Sequence, residues 1–155
     1  MLSNIELKNL SKIYAIKVDY IGYKDTMPNI KSKSNYGAII NIDNSNPDDF
    51  NPNGSHWTCL IIKNNICIYF DSFGLGETIE TMNFINKQNV KHYGYNNVQI
   101  QDIKDDHCGY YCIALLLFVK NNYSNNLIDT INNFIDLFDK INVKNNKKIL
   151  LNFLK

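Results

Sequence analysis

The sequence predicts an α+β fold, a central mixed β-sheet flanked by helices, and three stretches carry that prediction. "HWTCLII" (56–62) and "ICIYFDSF" (66–73) are apolar on both faces and rich in β-branched and aromatic residues, as a hairpin covered on both sides would be. From Cys108 to Val119 the chain is apolar all round, which fits a buried helix better than a surface one. Leu127, Ile128, Ile131, Phe134, Ile135, Phe138 and Ile141 then form one stripe at helical spacing.

The remaining elements follow in order. Ile5 to Tyr14 has apolar positions at mostly helical intervals and predicts a first helix. Polar stretches at 29–35 and 44–55 read as surface loops, with a strand, "YGAIINI" (36–42), between them. Asn64-Asn65 suits a two-residue hairpin turn, because asparagine tolerates positive φ. "NNVQIQD" (96–102) is a shorter strand candidate, and "KKILLNFLK" predicts a last short helix. Asp105 or Asp106 can cap the helix that starts at Cys108. With no internal repeat and no dividing linker, residues 1–155 read as one domain.

Composition narrows the function classes. The longest apolar run, Tyr110 to Val119, is ten residues, about half a membrane span. The opening "MLSNIELKNL" has no apolar signal core, and four cysteines in that context suggest reduced thiols in a cytosol-like compartment. Formal charge is +1, so no global field draws the chain to nucleic acid. All 16 basic residues are lysines, so forked recognition of phosphate by arginine is excluded. The 26 asparagines are what an AT-rich coding sequence gives and carry no chemistry by themselves.

"DDHCGYYC" (105–112) places a thiol at the mouth of the buried helix and raises the question of its partners. With Asn64 and Asn65 as the turn, His56 lies opposite Phe73 and Thr58 opposite Asp71. His56 and Asp71 are then diagonal neighbours on one face, roughly 7–8 Å apart between backbones, close enough for their side chains to meet. An imidazole held by a carboxylate is what a thiol nucleophile needs as base and orienter. A helix N-terminus favours the thiolate, while Asp105 and Asp106 oppose it unless turned aside into capping bonds. Taken singly, each of these residues has a plainer reading, Cys108 as core filler and Asp71 as the cap of a "DSFG" turn. His92 and His107 read as surface residues, weaker candidates for the base. Zinc would draw on Cys59, Cys67, Cys108, Cys112 and the histidines, but the hairpin register puts Cys59 and Cys67 on opposite faces, and no CxxC or HxxxH pair is present.

"GSHWTCLI", "YFDSFG" and "QDIKDDHCGYYC", in this order, resemble the adenain family, the cysteine proteases that mature adenovirus particles, with similar enzymes in virophages and large self-replicating transposons. "IELKNL", "YIGYKDTMPN" and "YGAIIN" also resemble that family's opening helix, loop and first strand, so the likeness spans roughly residues 4 to 118. The resemblance implies a papain-superfamily fold shared with SUMO proteases, with the nucleophile at a buried helix N-terminus. It implies Cys108 as nucleophile, His56 as base and Asp71 in the acidic place. It also implies Gln101, seven residues before Cys108, as the amide of the oxyanion hole, although Gln99 lies close enough to compete for that place. Trp57 and Cys112 match a tryptophan beside the histidine and a second helix cysteine. The chain order His–Asp–Gln–Cys fits this family and not papain, where the cysteine comes first.

The implied function is a cysteine endopeptidase of viral or virus-like origin, a thiol hydrolase that cleaves capsid or core precursor proteins during particle maturation. It would act as a monomer, without metal or cofactor, in the host cytoplasm or viral factory, and be packaged in the virion. Adenoviral members are activated by DNA and by a peptide disulfide-linked to an upstream cysteine. Here "NKQNVKHYG" has no cysteine and the chain no arginine, which counts against both activators. Two alternatives stand beside this expectation: a deubiquitinase or deSUMOylase on the same fold, and a non-catalytic binding or zinc-structural domain.

Overall fold

The computed structural model describes residues 1–46 and 55–155. Most of the loop expected at 44–55 therefore lies outside the described residues. The architecture is α+β: a five-stranded mixed sheet with helices on both faces. Strands β1 (Tyr20–Tyr23), β2 (Tyr36–Asn41), β3 (Trp57–Lys63), β4 (Ile66–Phe70) and β5 (His92–Tyr95) lie side by side in chain order. The pairs β2/β3 and β3/β4 are antiparallel, and the outer pairs β1/β2 and β4/β5 are parallel. Helices α1 (Asn4–Ile13), α2 (Ile79–Ile85), α3 (Cys108–Asn121), α4 (Leu127–Ile135) and α5 (Asn146–Phe153) complete the fold. None of these helices is long and apolar enough to cross a membrane, among the described residues.

The central hairpin has the register expected from its turn. Asn64 and Asn65 both adopt positive φ, 52° and 66°, so the strands turn tightly and pair Cys59 with Phe70 and Lys63 with Ile66. Because side chains alternate across a strand, that register sorts the core into two layers. Cys59, Ile61, Ile68 and Phe70 pack with α3, α4, Leu7 of α1 and Leu150 of α5. Leu60, Ile62 and Cys67 pack on the other face with Phe84 and Ile85 of α2. Cys59 and Cys67 thus lie on opposite faces, as parity requires, and all four cysteines are free.

Helix α3 is the centre of the larger layer. Tyr111, Cys112, Ile113, Ala114 and Leu115 have no measurable exposure, and complete burial of an Ile113 or Leu115 side chain contributes roughly 1.5–3 kcal/mol. Helix α1 is fixed at its start by a capping box, Ser3 Oγ accepting from Glu6 N–H and Glu6 Oε2 from Ser3 N–H. It lies close against α3 because Gly109 has no side chain: a Cβ there would come within 3.1 Å of Leu7 and 3.2 Å of Leu2.

Several expectations need correction. Residues 96–102 form a loop, not a strand, and the fifth strand lies just before it at His92–Tyr95. The reason is Asn96, whose side chain takes both the N–H and the C=O of Asp71 and so ends strand pairing there. "YIGY", expected as loop, is β1, parallel to β2, and α2 was not expected at all. The stripe from Leu127 does not run as one helix. It stops at Ile135, Phe138 remains in the core, and Ile141 is 97% exposed. Asp139 makes the break by accepting the N–H groups of Ile141 and Asn142. Neither Asp105 nor Asp106 is the cap of α3; His107 occupies that position, with no side-chain cap bond.

Candidate active site

Three chain segments meet at one end of the sheet. Strand β3 begins at Trp57 where antiparallel β4 ends at Phe70, so the residues just outside them, His56 and Asp71, come to the same edge. His56 Nε2 lies 2.7 Å from Asp71 Oδ1, and both side chains are buried. The imidazole also stacks on Phe73, with ring centroids 4.4 Å apart, so the hairpin pairing that aligns these two residues fixes the ring plane as well. The N-terminus of α3 reaches this edge from the larger core layer. Cys108 Sγ accepts the backbone N–H of Trp57 at 3.5 Å, tying the helix start to the residue after His56. With Nε2 on Asp71, Nδ1 is the ring nitrogen left for the sulfur.

The electrostatics follow from this packing. Burial alone would lower the pKa of His56, but the hydrogen bond it donates to Asp71 and the nearby Cys108 sulfur more than offset it, and the pKa rises to about 9. His56 is therefore a cation at neutral pH when the sulfur beside it is a thiolate. The other thiols have no such partner. Burial pushes Cys59 far up and Cys67 to about 12, and Cys112 lies well above the usual thiol range.

Asp71 is held more firmly than a single contact to His56 would hold it. Its Oδ1 also accepts Phe73 N–H at 2.8 Å, and Gly74 N–H closes the turn onto its carbonyl at 2.8 Å. Both readings of Asp71, imidazole partner and turn cap, thus apply to one oxygen atom. Gly74 is required here, with φ of 75° and a virtual Cβ only 2.8 Å from the Val98 backbone. Buried Asn96 clamps the Asp71 main chain, accepting its N–H at 2.8 Å and donating to its carbonyl at 2.6 Å. Sequence reading missed Asn96, since one asparagine among 26 gives no signal. Asn96→Ala leaves two buried backbone groups without these partners. We expect it to cost about 1–3 kcal/mol of stability and to lower activity, measured as the urea midpoint and kcat of the variant.

Gln101 has no exposed surface, whereas Gln99 is exposed and donates to the Gln101 carbonyl at 2.8 Å. The Gln101 Nε2 donates to the carbonyl of Asp105 at 2.6 Å, and its Oε1 accepts from Ser72 Oγ at 2.5 Å. Gln101 therefore braces the turn that leads into Cys108. That turn is further held by His107, expected as a surface residue but half-buried, whose Nδ1 lies 2.5 Å from Asp105 Oδ1. The same Asp105 oxygen accepts the backbone N–H of His107 at 3.2 Å, so this carboxylate is held at the residue before Cys108, and His92 stands exposed in β5. No side chain caps α3, so among the described residues its first backbone N–H groups are left to serve an anion at Cys108.

Trp57 donates its indole N–H to the Leu2 carbonyl at 2.7 Å. Together with Leu2, Tyr23, Asn41 and Ser55 it lines a cleft of about 240 Å³ whose walls include neither His56 nor Cys108. Among the described residues, one group, Asp105, Asp106 and His107, brings three metal-ligand-type atoms within 4.8 Å of one another, and it contains no cysteine. The arrangement around Cys108 is suited to nucleophilic attack: a sulfur, an imidazole oriented by a carboxylate, and amide donors at a helix start. No protein-family model matches this chain, and no curated protein matches it.

Proposed function

We propose that this chain is a cysteine endopeptidase of the adenain type, on the papain-superfamily architecture shared with SUMO proteases, and that it cleaves capsid or core precursors during maturation of a virus or virus-like element. The observation that carries the proposal is the convergence of the 2.7 Å His56–Asp71 pair with Cys108 at the uncapped start of α3. The Cys108 thiolate attacks the carbonyl carbon of the scissile bond, and the C–S bond forms as the carbonyl electrons move onto oxygen. Gln101 and the first backbone N–H groups of α3 hold that oxyanion. His56 gives its proton to the leaving amine, and the C–N bond breaks. It then takes a proton from water, which attacks the thioester and releases the carboxylate product and Cys108. Asp71 keeps the ring in the right tautomer and balances its charge.

The test is co-expression with capsid precursor proteins of the same genome. Shortened capsid bands that vanish with Cys108→Ala support the assignment. Intact capsid proteins together with cleaved ubiquitin-like fusions would move the substrate from capsid precursors to ubiquitin-like conjugates.

A further inference from the structure

We propose that Ser72 is a positioning residue for Gln101, locking the amide of the oxyanion donor in the one orientation that can work; the inference rests on the protease reading above. A carboxamide is nearly symmetric in shape, and a half-turn exchanges its oxygen with its NH2 group. Pointing the oxygen at the nascent oxyanion would repel it, so a glutamine in that place needs something to decide its orientation.

The surroundings of Gln101 supply this from both ends. The Asp105 carbonyl can only accept, so it selects the NH2 group at 2.6 Å, and the Ser72 hydroxyl donates to the oxygen at 2.5 Å. The backbone keeps the two residues in step, since the Ser72 carbonyl accepts the N–H of Ile100 at 2.9 Å and of Gln101 at 3.0 Å. Ser72 is 1% exposed and Gln101 is fully buried, so bulk water does not compete with this hydroxyl in the folded protein. One amide hydrogen is spent on Asp105, and the protease reading assigns the second to the substrate oxygen at Cys108. Ser72 directly follows Asp71, so the end of β4 sets both the imidazole through Asp71 and the amide through Ser72.

The test compares two reagents at Cys108 of the full chain, read by mass spectrometry of the Cys108 peptide. p-Nitrophenyl acetate acylates the sulfur through a tetrahedral oxyanion and expels p-nitrophenolate. Iodoacetamide alkylates it by displacing iodide, with no oxyanion. Ser72→Ala is expected to slow acetylation at least about tenfold while alkylation stays within about twofold of wild type. In a Gln101→Ala background the same substitution should add almost nothing, because the amide it orients is gone. Should Ser72→Ala fail to fold, Ser72→Cys keeps the volume with a weaker donor and serves the same comparison. An equal loss in both reactions, or a full additional loss in the double variant, overturns the positioning role and leaves Ser72 as structure only. Wild-type Cys108 that accepts neither reagent overturns the protease reading itself.

Discussion

Asp71→Asn is expected to lower kcat by about 10²–10⁴-fold with little change in KM. The expectation comes from the shared oxygen. Asp71 Oδ1 accepts both His56 Nε2 and Phe73 N–H, so an asparagine carbonyl can keep the turn closed and the fold intact. What it cannot keep is the charge, and if the amide rotates, its NH2 group forces the wrong imidazole tautomer. The pH dependence separates these effects from a merely structural role. With the His56 pKa raised to about 9, the alkaline limb of kcat/KM in wild type is expected to fall near that pH. Without the Asp71 carboxylate that limb moves to lower pH. Stability follows the same linkage: the folded pKa of about 9 exceeds the ordinary 6.5. The contribution of protonated His56 is therefore complete below pH 6.5 and lost as the pH rises through 9. The stability gap between wild type and Asp71→Asn should accordingly narrow over that window. An unchanged kcat with a lower melting point would leave Asp71 as a turn cap alone.

Gln101→Ala is expected to lower kcat by about 10²–10³-fold, again with little effect on substrate binding. A neutral amide can stabilise the developing oxyanion without disturbing the Cys108–His56 pair, which an acid could not do. Because Gln101 also braces Ser72 and the Asp105 carbonyl, the variant should lose about 1–3 kcal/mol of stability while still alkylating at Cys108. Gln99→Ala should behave nearly like wild type, since Gln99 is exposed and its one bond goes to a backbone carbonyl. Reversed behaviour of the two variants would show that the wrong glutamine has been assigned.

The parts of the fold that were legible are those fixed by local chemistry. Two asparagines that accept positive φ set the hairpin register, and the register in turn placed His56 beside Asp71 and parted Cys59 from Cys67. The all-apolar run of α3 identified a buried helix for a similar reason, since a surface helix keeps one polar face. The edge strands were not legible. Each is four residues long and pairs in parallel with a neighbour beyond a longer connection, so neither a tight turn nor a clean alternation announces it. The loop 96–102 was misread because its apolar spacing suits a strand, while its conformation is decided by distant groups. Asn96 holds Asp71, the Ser72 carbonyl takes Ile100 and Gln101, and Asn146 donates to the Ile100 carbonyl at 2.8 Å. Ser72, Asn96 and Asn146 are ordinary polar residues by type, and only tertiary packing gives them their roles.

Limited alkylation by iodoacetamide at neutral pH tests the central claim most directly, because it asks whether Cys108 is an activated thiol without requiring a substrate. All four cysteines are buried, Cys108 at 1% exposure and the others at none, so accessibility barely distinguishes them and the groups beside each sulfur decide the order. Cys59, Cys67 and Cys112 are held as neutral thiols by burial, whereas Cys108 has the His56 cation beside it. The account predicts that the Cys108 peptide is modified well before the other three and that His56→Ala removes the difference. Equal labelling of all four cysteines in the folded protein would contradict it.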